Sequence, residues 1–226
     1  MIRSNVPWRD TKDYVFTAVV ALVALLPRLY VAIAWSKEPV WDGHYYHLGA
    51  ERLAAGLGYS EDAFSQGHLI WKPWVHYPPG YSLLLSVFYF VLGPGLLVAP
   101  ILNAVLGAAV TAVTHRFGWH FTTPGRAKLA AALVALHPGL IAYSPLVMTE
   151  ILSTLLLLGA GLAVLTWPGS WRGFLLGGAL LGLAVLVRPA SLLALPLFAL
   201  MGAKPWSSAL LRTAVAGGVA LLFVLP

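Results

Sequence analysis

The sequence predicts an all-α, polytopic membrane protein, and three observations carry that expectation. Of 226 residues, 59% are hydrophobic and only 10% charged, with a mean hydropathy of +0.81. A soluble domain carries nearer about 25% charged residues. The apolar residues fall in runs that reach the roughly 20 residues needed to cross a bilayer, and these Leu, Ala, Gly and Val runs do not alternate as barrel strands do. The acids, finally, are sparse and uneven: beyond Asp62 the chain carries one carboxylate, Glu150, set between two apolar runs. A charge at the centre of a membrane helix costs about 2.5–3.5 kcal/mol on insertion scales, so a lone acid in such surroundings points to function.

The elements follow from punctuation. Apolar runs cover about 14–35, 79–92, 96–114, 127–146, 151–167, 173–187, 190–203 and 210–225, separated by Gly-Pro-Gly, Thr-Pro-Gly, Pro-Gly-Ser and Lys-Pro breaks. The first run follows a basic inner tail, residues 1–13 with Arg3, Arg9 and Lys12. It ends near Ala32-Ile33-Ala34, which resembles a signal-peptidase site, but it is long enough to remain as a spanning helix, and that is our reading. Residues 36–78 form the one long polar stretch, an outer loop rich in His and aromatic rings. There Leu48, Leu53 and Leu57, with Ala50 and Ala54, predict a short interfacial helix stopped by Gly56-Leu57-Gly58. Run 79–92 is short and opens at a Pro-Pro pair, which suggests that it lies at the interface or re-enters. Gly173/Gly177 and Gly178/Gly182 give run 173–187 the small-residue spacing of close helix packing.

The net charge of +6 does not point to nucleic acid, because the fourteen Lys and Arg are scattered singly between apolar runs. Positive-inside topology accounts for them better. It sets the N-terminal tail, Arg116, Arg126, Lys128, Arg172, Lys204 and Arg212 inside, and Asp42, Glu150 and Arg188 on the outer side. The absence of cysteine excludes disulfides and thiolate chemistry.

Four patterns lie in order: D-G-H-Y-Y-H-L-G-A-E-R-L-A-A-G-L-G from Asp42, H-Y-P-P-G-Y-S-L-L-L from His76, H-P-G-L-I-A-Y-S-P-L-V-M-T-E ending at Glu150, and G-A-L-L-G-L-A-V-L-V-R-P ending at Arg188-Pro189. Together they resemble the GT-C superfamily of membrane glycosyltransferases, in the branch of protein O-mannosyltransferases, aminoarabinose transferases and Rgt-type enzymes. Asp42, Tyr46, Ala50, Leu53, Gly56 and Gly58 match that branch's outer-loop pattern. The Pro-Pro-Gly-Tyr start of the next helix, the acid after a Tyr-Ser, the Arg-Pro helix end and an Arg near the end of helix one match as well.

The resemblance implies transfer of a sugar from a polyprenyl-phosphate carrier to a glycan, glycolipid or protein acceptor, on the outer face of a bacterial inner (plasma) membrane. It implies that Asp42 is the catalytic base and Glu150 the second acid, which binds acceptor or positions a metal. Each also has a structural reading: Asp42 as a helix cap, Glu150 as a helix-start carboxylate favoured by the macrodipole. Arg188 is either a bidentate phosphate ligand or an interface marker. Arg28 is either an anchor that snorkels or a cation beside a lipid phosphate. Relatives place a Lys before the proline where this chain has Tyr77, so Lys72 and Arg28 are the nearest substitutes. Tyr46, His76 and Tyr77 complete the expected substrate-binding set, and Trp71, Trp74 and Tyr45 are available to stack on sugar or to flank lipid. His44, His47, His68 and His76 with two acids supply enough donors for a divalent metal, yet no ligand spacing specifies one. The sequence specifies no cofactor and leaves a divalent metal open.

Relatives continue well beyond 226 residues, so a module lacking the family's C-terminal part is expected. The rival reading is a non-catalytic membrane protein, either a decayed homologue or a carrier-binding subunit. A transporter would show internal repeats and paired midplane charges, and neither is evident.

Overall fold

The computed structural model describes residues 11–65, 68–74, 76–201 and 205–224. The tail residues Arg3 and Arg9, and Lys204 of the expected inner loop, lie outside them. Among the described residues the chain is mostly helical, with ten α-helices: α1 Thr11–Ala34, α2 Asp42–Ala54, α3 Gly80–Leu92, α4 Val98–Gly118, α5 Pro124–Leu136, α6 Pro138–Ala142, α7 Glu150–Thr166, α8 Trp171–Val187, α9 Leu195–Met201 and α10 Trp206–Leu222. A 3-10 segment, Pro189–Ala194, joins α8 to α9. Two of the helices, α1 with 24 residues and α4 with 21, are long and apolar enough to cross a membrane, by length and composition.

Proline explains where the predicted runs divide. The run expected over 127–146 breaks at His137-Pro138, because a residue before proline is pushed out of the α region. His137 is extended (φ −65°, ψ 116°), and its Nδ1 accepts from the Leu140 amide to start α6. The run expected over 190–203 opens as a 3-10 turn for the same reason, with Arg188 extended (φ −147°) ahead of Pro189.

The expectation of an all-α chain needs one correction. Part of the polar stretch forms an antiparallel hairpin, β1 Ser60–Ser65 with β2 His68–Pro73, in register Glu61↔Lys72 and Asp62↔Trp71. The hairpin is tied to α2 through Arg52, which donates from Nη2 to Asp62 Oδ1 (3.0 Å) and from Nε to Ser60 Oγ (3.1 Å). Lys72 is held across the hairpin by Glu61, 3.5 Å away.

Side-chain contacts set the helix directions. Thr17 at the start of α1 meets His115 at the end of α4, whereas Arg28 late in α1 meets Val134 and Ala135 late in α5. Helices α1 and α5 therefore run together and α4 runs against them. Helices α7 and α8 are antiparallel, joined at one end by Glu150 with Arg188 and by Ser153 with Ser191. Helix α10 runs parallel to α8: Gly178 faces the Ala216 backbone and Gly182 faces Ala220, so the small-residue spacing does serve close packing.

Helix α3 is different. Its first residue, Gly80, lies against Leu186 and Val187 at the end of α8. Four residues past its far end, the Leu96 carbonyl accepts from Ser36, just beyond the end of α1. Both ends of α3 thus sit at the same end of the bundle, and α3 lies across it beside α2.

Three cores hold the bundle. One joins α2, α3, α4 and the run into α7 through Tyr46, Tyr81, Leu85, Leu102 and Val147. A second joins α7 to α10 through Val164, Phe174, Leu181 and Phe198. A third joins α1, α4 and α5 through Val20, Ala24, Ala108 and Ala131. The exterior is also apolar: Val15, Val19, Leu22, Leu26, Tyr30 and Ile33 line an exposed face of α1, and Leu193 is 82% exposed.

Candidate active site at the meeting of four helix ends

The starts of α2, α3 and α7 and the end of α8 converge at one end of the bundle, and two glycines make the approach close enough. A Cβ on Gly43 would lie 2.9 Å from the Val147 carbonyl oxygen, so the start of α2 rests directly on the segment that leads into α7. A Cβ on Gly80 would lie 2.6 Å from the Leu186 carbonyl carbon, so the start of α3 rests on the last turn of α8. Side chains larger than hydrogen would separate both pairs.

Asp42 is exposed at the first position of α2. It is not the cap: Trp41 is, with no side-chain capping bond and a left-handed backbone (φ 51°) that a bulky residue adopts only under strain. Asp42 instead occupies the first turn, where the helix dipole favours an acid. Its Oδ1 accepts from the Tyr77 hydroxyl at 3.0 Å. That bond is the main reason the Tyr77 phenol titrates above its ordinary range. Tyr77 stacks on Tyr45 (centroids 4.9 Å apart, planes at 18°) and meets Tyr46 edge-on at 5.4 Å. Trp74 closes on Tyr45 at 5.4 Å and is buried.

Glu150 opens α7 as expected, and its Oε1 accepts from Arg188 Nη1 at 2.8 Å. The pair is 40% and 47% exposed at its side chains, so screening by solvent keeps its energy small. Its other oxygen, Oε2, is enclosed and has no hydrogen-bond partner among the described residues.

Tyr46 links the two acids. It is buried, and burial is the chief cause of its raised phenol pKa, with Asp42 and Glu150 adding to the shift. The nearby Thr149 hydroxyl and the charge of Arg188 act in the opposite direction. One phenol thus feels both acids, the arginine and Thr149.

The remaining expected residues divide. His76 is exposed and has no hydrogen bond or ion pair among the described residues. Lys72, a candidate phosphate ligand, pairs with Glu61 across the hairpin at 3.5 Å. Arg28 is not a snorkelling anchor: it is 1% exposed, and its Nη1 and Nη2 donate to the Ala24, Ala135 and Val134 carbonyls at 2.7–2.9 Å. Of the histidines, His47 bonds to Tyr89 and Glu51, whereas His44 lies edge-on to Tyr45. Among the described residues no group of three or more His, Asp or Glu is placed to share a metal.

Sequence reasoning missed the brace behind Glu150. The Tyr81 hydroxyl donates to Asn103 Oδ1 (3.0 Å), and Asn103 Nδ2 donates to the Leu146 carbonyl (2.6 Å), which fixes the approach to α7. A lone Asn inside an apolar run was the available signal. Alongside Gly80 and Val187, the residue before Arg188, runs an apolar groove of about 290 Å³, walled by Leu83, Leu84, Leu152, Leu156 and Leu186.

No protein-family model matches this chain, and no curated protein matches it in sequence.

Proposed function

We propose that this chain is a polytopic membrane glycosyltransferase module of GT-C type that moves a sugar from a polyprenyl-phosphate carrier to an acceptor at the outer membrane surface. The observation that carries the reading is that residues from all four motifs, Asp42, Tyr77, Glu150 and Arg188, share one end of the bundle. A chance set of apolar-run punctuation has no reason to converge.

Membrane placement is supported by the two long apolar helices and by the exposed apolar face of α1. Soluble monomers rarely expose such contiguous surface. Helix α3, with 13 residues, is about 20 Å long, less than the roughly 30 Å hydrocarbon core, which suits an element lying across the interface.

In the reaction, the acceptor hydroxyl attacks the anomeric carbon, the bond from that carbon to the phosphate oxygen breaks, and the phosphate leaves with the electron pair. Asp42 takes the hydroxyl proton, and the Tyr77 hydrogen bond holds the carboxylate in place. Arg188, anchored by Glu150, faces the charge that develops on the phosphate. The leucine groove that reaches Val187, one residue before Arg188, suits the first isoprene units of the carrier.

Purified protein and a panel of radiolabelled polyprenyl-phosphate sugars test the reading. Transfer by wild type but not by Asp42→Asn is the expected result. Equal transfer by both would remove Asp42 from the mechanism, and carrier binding without transfer by either would favour a binding subunit.

A further inference from the structure

A second cavity, of about 270 Å³, lies on the other face of α7, between it and α1, α4, α5 and α6. Its wall is largely apolar, with Val110, Val134 and Leu158, but two charged residues line it: Arg28 and Glu150. Arg28 is almost fully buried and has no carboxylate partner among the described residues. Two carbonyls ending α5, Val134 and Ala135, and the Ala24 carbonyl of α1 accept from its Nη atoms and lend only partial negative charge, while its Nε–H has no partner. A buried guanidinium left so is a costly arrangement unless an anion completes it. At the same cavity, Glu150 Oε2 is enclosed and lacks a donor.

We propose that this cavity binds the head group of a membrane phospholipid whose phosphate pairs with Arg28 and whose terminal ammonium or hydroxyl donates to Glu150 Oε2. A phosphate alone would answer the arginine and repel the carboxylate. A head that carries both an anion and a hydrogen-bond donor answers both, as ethanolamine and glycerol heads do and a choline head does not. The volume is just under the roughly 300–1,000 Å³ of drug-sized pockets, so it takes the head and the first part of a chain, not a whole lipid. Thr17 with His115, and Arg28 with Ala135, place the cavity in the half of the bundle that also holds Asp42. Glu150 is the residue common to the cavity and the acidic site, so a bound head group would also steady that carboxylate. The inference rests on the membrane placement above, not on sugar transfer.

The test is lipid retention, read by native mass spectrometry of full-length chain released from nanodiscs of equimolar dioleoyl phosphatidylethanolamine and phosphatidylcholine. Wild type should retain the ethanolamine lipid about tenfold over choline, the discrimination of one charge-assisted hydrogen bond. Arg28→Gln should lose both lipids. Because that variant risks misfolding, Thr154→Trp, at an exposed cavity-wall position, should lose them with Arg28 intact. Glu150→Gln should keep lipid but lose the preference. Equal retention of the two lipids by wild type, or unchanged retention in both cavity variants, overturns the proposal. Displacement of the ethanolamine lipid by added polyprenyl phosphate, which has no such donor, would give the cavity to the carrier and overturn it as well. A chain that fails to enter nanodiscs at all would instead sink the membrane placement.

Discussion

Two polar clusters, one at each end of the bundle, use their hydrogen-bonding groups in opposite ways. At the end formed by the start of α1 and the close of α4, one set of polar groups, Thr17, His115, Trp119, Asp13 and Lys128, is closed on itself. Trp119 Nε1 donates to His115 Nε2 at 3.1 Å, so the proton of a neutral His115 sits on Nδ1 and faces Thr17 Oγ1 at 2.8 Å, while Thr17 donates to the Asp13 carbonyl. Asp13 pairs with Lys128 at 3.1 Å. Every proton in that chain has a place, which is what a structural lock requires. At the opposite end, Asp42 is exposed with one partner, Glu150 keeps an oxygen free, and Trp41 holds a strained backbone. Unspent hydrogen-bonding capacity and local strain are consistent with the ligand site proposed for this end.

That contrast is open to breakage. The largest effect belongs to Asp42→Asn, which should lower transfer by about 10²–10⁴-fold, the usual contribution of a general base, with thermal stability unchanged. A matching fall in stability would move Asp42 to the structural end of the comparison. Gly80→Ala comes next, because its Cβ would strike the Leu186 backbone and part α3 from α8. A loss of about 1–3 kcal/mol in stability should accompany a fall in transfer, since Tyr77 and Arg188 are displaced together. His115→Phe should do the reverse, costing about 1–3 kcal/mol in denaturation of detergent-solubilised protein and leaving transfer per folded molecule intact.

Trp41→Gly relieves a left-handed backbone and should stabilise by about 1 kcal/mol while transfer slows modestly, because Asp42 is held less firmly. Unaltered stability would show that the turn carries no strain. The smallest effect is on pH. The Tyr77 phenol lies above its ordinary range because of Asp42, so its donor form is fully present below the unperturbed tyrosine value of about 10 and is lost only as pH passes the raised one. The ratio of wild-type to Tyr77→Phe transfer should therefore be the same at pH 7 and pH 9.5; a narrowing ratio would show that Tyr77 ionises at its ordinary pKa.

Much of the site was legible in the sequence because its parts are local. Asp42 and Glu150 begin helices, Arg188 precedes a proline, and Tyr77 precedes two; each is a terminus signal that short-range rules detect. The pairing of Lys72 with Glu61 was not legible, because it depends on the cross-strand register of the hairpin. The snorkelling reading of Arg28 fails because it treats a helix in isolation, and here α5 brings its terminal carbonyls within reach.

By itself, then, the sequence determined the helical class, the order of the runs, their breaks at proline and the scarcity of acids, all of which follow from hydrophobic period and backbone restriction within a few residues. Only the tertiary structure decided that α3 lies across the bundle, that Asn103 braces the approach to Glu150, that Arg28 is buried, and that Tyr77 bonds to Asp42 and Arg188 to Glu150 at the end the charge pattern had assigned them. Those outcomes depend on contacts between residues far apart in the chain, chosen by which helix backbones can approach closely, and no local pattern encodes that choice.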